Sequence, residues 1–168
     1  MTAARRLEKR RIGPFCLGIA LAVALVAAGT TALRAAATTE RIVVDRHTGL
    51  AIHGFDPVAY FTDHKAAMGR AELELSLGGV VWRFRNLGNR AAFAEYPNIY
   101  MPRFGGHDPV ALARGVATAG HPHLWLVANN RLYLFYSLAS QSAFAADPGA
   151  AVAAAEAKWA EVVATLVP

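Results

Sequence analysis

Between Gly69 and Pro97 the apolar and polar residues alternate, pause, alternate again and then change period, and the chain repeats the same course from Gly120 to Pro148. Leu73, Leu75 and Leu77 are interleaved with Glu72, Glu74 and Ser76, the two-residue period of a strand with one wet face. Gly78-Gly79 suits a two-residue hairpin turn. Val80, Trp82 and Phe84 then alternate back, with Arg83 and Arg85 on the other face. Asn89 to Tyr96 reads as a short helix burying Phe93, ended by Pro97. A shift of 51 residues, without a gap, brings Gly69 onto Gly120, Leu73 onto Leu124 and Gly78-Gly79 onto Asn129-Asn130. The same shift brings Val81-Trp82-Arg83-Phe84 onto Leu132-Tyr133-Leu134-Phe135, Phe93 onto Phe144 and Pro97 onto Pro148. Asp-Pro-Val-Ala precedes each copy, at 56–59 and 108–111. So many matches at a constant offset mark an internal duplication.

The second hairpin, with Leu124, Leu126, Leu132, Leu134 and Tyr136 around Asn129-Asn130, is apolar on both faces. That places it in the middle of a sheet shared by the two units. Ser140 to Ala146 is its helix. Ile42-Val43-Val44 offers a short first strand. Asp56-Pro57, Asp108-Pro109 and Asp147-Pro148 each put Asp at a helix cap and Pro at the first helical position. The third opens the longest helix, Pro148 to Leu166, with Val152, Glu156, Trp159, Val163 and Leu166 near one face and Trp159 as its anchor on the sheet. The expected fold class is α+β: two β-hairpin–helix units sharing one small antiparallel sheet, plus a long C-terminal helix, behind an N-terminal hydrophobic helix. The pseudo-repeats span about 56–100 and 108–148 of a domain at 51–168, after a linker at 38–50.

Residues 1–37 have another character. Arg5, Arg6, Lys9, Arg10 and Arg11 precede 22 uncharged residues, Ile12 to Leu33, and Arg34-Ala35-Ala36-Ala37 follows. Basic, apolar, then small is the order of an export signal, and 22 uncharged residues also suffice to span a bilayer. A cleaved signal peptide and an uncleaved membrane anchor at 12–33 both fit, and either places the remainder in the periplasm or another extracytoplasmic space. The leader also accounts for the charge. The full chain carries +5, but without residues 1–37 Lys+Arg falls from 17 to 11 and Asp+Glu from 12 to 11, for a formal charge of zero. The high isoelectric point is therefore no nucleic-acid footprint. The single cysteine, Cys16, lies inside the apolar run, so the exported part has no disulfide, thiolate metal site or cysteine nucleophile.

With Asp56-Pro57-Val58, Gly79, Trp82, Phe84, Phe93, Pro97 and Tyr100 in these places, the chain resembles the YHS domain family over most of residues 51–166. Tyr100 to Gly106, Leu132-Tyr133-Leu134 and Trp159 are similar to its longer exported members. The resemblance implies a small α+β fold related to heavy-metal-binding cysteine domains. It also implies a departure: the family's cysteines fall on Ala59, Arg85 and Asn89, and in the second unit on Ala111, Tyr136 and Ser140. The thiolate metal function does not carry over.

Other chemistry rests on few residues. His121 and His123 share a face if extended, and with His107 and Asp108 they could hold copper or zinc; a solvated turn at His121-Pro122-His123 is the plainer alternative. Gly105 to Pro109 could cradle an anion, but Asp108 would then occupy the cap itself. As a plain cap it is worth about 1 kcal/mol. His107 beside Asp108 could serve a small enzyme, although no nucleophile elbow, phosphate loop, dinucleotide fingerprint or HExxH motif occurs. The expectation is a non-catalytic ligand-binding or accessory protein of the cell envelope. Its ligand or envelope partner would meet a cleft between the units lined by Tyr60, Tyr100, Arg103, His107 and Asp108, and its contact with the membrane would run through the N-terminal segment.

Overall fold

The computed structural model describes residues 40–167, so the leader and its hydrophobic segment lie outside the described residues. The described part is α+β, with two separate two-stranded antiparallel sheets and several helices. Strands β1 (Arg70–Leu77) and β2 (Val80–Phe84) form the first hairpin, and β3 (His121–Ala128) and β4 (Arg131–Phe135) the second. The helices are α1 (Ala59–Thr62), α2 (Leu87–Glu95), α3 (Pro97–Tyr100), α4 (Pro109–Leu112), α5 (Leu138–Ala146) and α6 (Pro148–Val163). No helix among the described residues is long and apolar enough to cross a membrane.

The two hairpin–helix units match in backbone detail. Both hairpins slip register at the same place, between Arg70 and Glu74 in one and between His121 and Trp125 in the other. Each is preceded by a left-handed turn, Ile52-His53-Gly54 with φ 41°, 58° and 79°, and Phe104-Gly105-Gly106 with φ 55°, 62° and 88°. Gly69 N donates to Gly54 O at 2.9 Å, as Gly120 N does to Gly106 O at 2.9 Å. A Cβ on Gly69 would lie 2.4 Å from the Arg83 carbonyl carbon, and one on Gly120 would lie 2.5 Å from Leu134 Cβ. Close approach of the paired strand requires glycine at both places. Each unit also seals its hairpin with one helical phenylalanine. Phe93 sits 5.0 and 5.2 Å from the rings of Trp82 and Phe84, and Phe144 sits 4.7 and 5.1 Å from Tyr133 and Phe135.

The shared sheet does not form. Ala51 N pairs with Val81 O beside β2. On β3, Pro122 has no N–H to give, its carbonyl accepts from Tyr60 Oη at 3.0 Å, and the Trp125 carbonyl accepts from Gln141 Nε2 at 2.8 Å. Side chains thus occupy strand groups that a neighbouring strand would need. The two apolar faces of the second hairpin serve two cores instead. Leu132 and Leu134 join Trp82, Phe84 and Phe93, while Tyr133 and Phe135 join Phe104, Leu112 and Phe144. Alternate β4 residues face opposite cores because a strand's side-chain period is two.

Several boundaries differ from expectation for local reasons. Pro97 does not end the helix region; it opens α3, as Pro148 opens α6. The helix before it spans Leu87–Glu95 and begins at Asn86, whose side chain accepts from Asn89 N. Ile42-Val43-Val44 is an extended strap with isolated pairings rather than a strand: Val43 N bonds Gly105 O, and Ile52 N bonds Val43 O. Helix α6 rests its anchor Trp159 on Phe104, with ring centroids 5.6 Å apart, more than on a sheet.

Candidate functional site

Asp56 and Asp108 are fully buried, and neither is a plain cap. Asp56 Oδ1 accepts from Val58 N at 2.8 Å and Ala59 N at 3.4 Å, and Oδ2 from Arg85 N at 2.8 Å and Asn89 Nδ2 at 2.7 Å. Asp108 Oδ1 accepts from Val110 N at 2.8 Å and Ala111 N at 3.2 Å, and Oδ2 from Tyr136 N at 2.9 Å. Each carboxylate therefore ties a short helix to the end of a hairpin nearly 30 residues later. Charge-assisted bonds from N–H donors take the place of water around the buried anion. The third Asp of the series, Asp147, is exposed and accepts only from Ala150 N, at 2.9 Å.

The residues expected to line a cleft have mostly interior roles. Tyr60 is fully buried against Trp125, ring centroids 5.1 Å apart. Its hydroxyl pKa is raised, first by burial and then by the negative charge of Asp56. Tyr100 is half-buried, edge-on to Phe61 at 5.3 Å. Arg103 pairs with Glu156 and lies 5.2 Å over the Phe104 ring. His107 is buried, and its Nε2 donates to the Glu40 carbonyl at 2.9 Å. Burial lowers its pKa, against the backbone bonds to Glu40 and Thr118 and the Glu40 charge. Both Asp108 oxygens accept from backbone N–H groups, and His107 Nε2 bonds the Glu40 carbonyl.

The three histidines are not brought together either. His121 and His123 are exposed, rings 5.5 Å apart, with His123 N donating to His121 Nδ1 at 3.2 Å and the His123 ring edge-on to Phe55. His107 is in the interior. Among the described residues no three His, Cys, Asp or Glu side chains gather in a way that could hold a metal ion.

A cavity of about 230 Å³ lies instead at the seam of the two units. Its walls are Ile42 of the strap, Trp82 of β2, Met101 and Pro102 of the connection, and Trp159 and Val163 of α6. Arg41 and Gly105 complete the lining. Glycine is compulsory at 105, since a Cβ there would lie 1.8 Å from the Arg41 carbonyl oxygen. A second cavity, about 380 Å³, lies between the strap and the first hairpin turn, lined by Glu40, Arg41, Val44, Gly49, Gly78 and Val80 among others. None of the five residues expected to line a cleft borders either of these two cavities. The sequence did carry one signal for the seam: the Tyr100–Gly106 connection and Trp159 both stand outside the two hairpins, and both border it or its neighbours. Nothing in the pattern marked Arg41 or Ile42, which read as linker.

Comparison of the chain with protein-family models, with characterised proteins and with solved structures gave no match.

Proposed function

We propose that the protein is an exported or membrane-anchored, YHS-like binding module of the cell envelope, without a catalytic centre, whose ligand enters the cavity at the seam between its two units. The observation that carries this reading is the cavity's lining: two tryptophans, a methionine, a proline and two aliphatic residues around about 230 Å³. That is somewhat below the roughly 300–1,000 Å³ of drug-sized sites, so the ligand is small and largely apolar. The basic-apolar-small order of residues 1–37 supports the location, and the resemblance in residues 51–166 supports the family. Copper or zinc binding loses support because His107 is interior while His121 and His123 are exposed.

Two measurements test the proposal. Alkaline phosphatase fused after Pro168 is active only outside the cytoplasm, so an inactive but intact fusion refutes the location. For the cavity, the full chain in lipid nanodiscs should broaden the ¹⁹F line of a small fluorinated aromatic beyond empty nanodiscs. Val163→Trp, which fills the space, should abolish the excess. Equal broadening by the filled variant refutes the site.

A further inference from the structure

The seam cavity and the cavity between strap and first hairpin meet at the strap. Arg41 and Ile42 border both, and no other lining residue is common to the two. Arg41 is exposed, whereas Ile42 is half-buried. Two contacts fix where the Ile42 side chain lies. A Cβ on Gly78, in the first hairpin turn, would be 3.1 Å from Ile42 Cδ1, and Ile42 packs against the core cluster that contains Trp82. Gly78 lines the strap cavity and Trp82 the seam cavity. One aliphatic side chain therefore stands between them.

The strap backbone is pinned on both sides of that side chain. Arg41 N donates to Val167 O at 2.9 Å, and Val43 N donates to Gly105 O at 2.8 Å. The partition thus opens by a turn of the Ile42 side chain between staggered positions, with the strap in place. Beyond it there is room: a Cβ on Gly49 or Gly79, both in the lining of the strap cavity, would meet nothing within 4 Å.

From this we infer that the two cavities are chambers of one site divided by Ile42, and that the ligand is a slender, unbranched alkyl chain running from the seam past Ile42 into the strap cavity. The inference rests on the seam cavity being the binding site and adds the shape and length of what it takes. The chambers measure about 230 and 380 Å³, so joined they hold roughly 600 Å³. That falls within the roughly 300–1,000 Å³ of small-molecule sites, which the seam alone does not reach. An opening one side chain wide admits a polymethylene chain and stops a ring. Each CH₂ that passes the partition leaves water for the apolar side chains of Ile42, Val44 and Val80, and tightens binding about fourfold.

The test titrates the full chain, methyl-labelled with ¹³C at Ile and Val, in lipid nanodiscs with butanol and with decanol, the share of each alcohol in the lipid being measured on empty nanodiscs. Butanol should shift the Val163 methyls alone. Decanol should shift those of Val163, Ile42 and Val44 along one binding curve. Val44 lines the strap cavity and not the seam, so Val44→Trp should weaken decanol by about tenfold or more and leave butanol unchanged. Ile42→Ala, which removes the partition, should raise the preference for decanol over butanol. Retained butanol shifts at Val163 show that a variant keeps its fold, and the wild-type methyl pattern decides alone where one does not. If decanol shifts Val163 without Val44, or Val44→Trp leaves decanol binding intact, the cavities are separate and the chain assignment is wrong while the seam site stands. If neither alcohol shifts Val163, the seam site itself is wrong and the inference falls with it.

Discussion

Three Asp-Pro steps look alike in the sequence, and the structure gives them unequal weight. Removing each carboxylate in turn therefore tests whether burial and long-range bonding set the cost. Asp56→Ala strands four donors: Val58 N, Ala59 N, Arg85 N and Asn89 Nδ2. Each unmet buried N–H costs about 1–3 kcal/mol, and relief from desolvating the carboxylate offsets several kcal/mol of the sum. A net loss of about 4 kcal/mol is expected. Asp108→Ala strands three donors, Val110 N, Ala111 N and Tyr136 N, and should cost about 3 kcal/mol, more than the 1 kcal/mol or so of a simple cap. Asp147→Ala removes one exposed bond to Ala150 N and should cost about 1 kcal/mol. The asparagine variants sharpen the comparison, because the amide keeps one acceptor and turns donors toward the other side. Asp56→Asn loses two bonds, whereas Asp108→Asn can keep the Oδ1 pair and lose only Tyr136 N. Pulse proteolysis of the full chain in membrane vesicles across a urea series measures all five. If Asp56→Ala and Asp108→Ala cost no more than Asp147→Ala, the carboxylates are caps only and do not tie helix to hairpin within each unit.

Other outcomes follow from single contacts. Gly105→Ala should displace the strap, because its Cβ would meet the Arg41 carbonyl; fast hydrogen exchange at Val43, whose N–H bonds Gly105 O, with slow exchange kept in β4, would show it. Tyr60→Phe removes the bond to the Pro122 carbonyl and should cost about 1 kcal/mol in the same proteolysis assay. Phe93→Ala and Phe144→Ala occupy equivalent places, so both should cost about 3–5 kcal/mol; a large loss in one alone would break the equivalence. On the exposed turn, the Thr48 backbone N–H and hydroxyl and the His47 N–H hold Asp45 down to about 2 from the ordinary 3.8. Its stabilisation is full above 3.8 and lost as pH falls through about 2. A carboxyl NMR titration should find that low midpoint, and Thr48→Ala should raise it.

The units, their hairpins and their helices were legible because they rest on local pattern. Alternation at Leu73, Leu75 and Leu77, and a helical Phe at 93 and again at 144, leave little choice of element. How the hairpins met was not legible. An apolar second face on β4 reads the same whether a third strand or a second core covers it, and only the contacts of Leu132 and Tyr133 decide for two cores. The interior placement of three of the candidate residues was hidden for a related reason. Tyr60, His107 and Asp108 are polar residues near a connection, which suggests a cleft, but each finds its partner in a distant backbone group: the Pro122 carbonyl, the Glu40 carbonyl and the Tyr136 N–H. No pattern in the chain announces a partner that far away.

The seam cavity joins a repeated residue, Trp82 of β2, to parts that the two copies do not share. Pro97 and Pro148 stand at equivalent places and each begins a helix, but α3 runs 4 residues and α6 runs 16. Asp147 caps α6 with its side chain, whereas Tyr96, at the same place before α3, offers no side-chain cap. Trp159 and Val163 lie on the part of α6 that has no counterpart in α3, and Arg41 and Ile42 come from the strap ahead of the first unit. Meanwhile Ala59, Arg85 and Asn89 converge on Asp56 through their N–H groups, and Ala111 and Tyr136 on Asp108. In both units these groups close on a buried carboxylate. The additions outside the repeat, Arg41, Ile42, Trp159 and Val163, meet at the seam cavity.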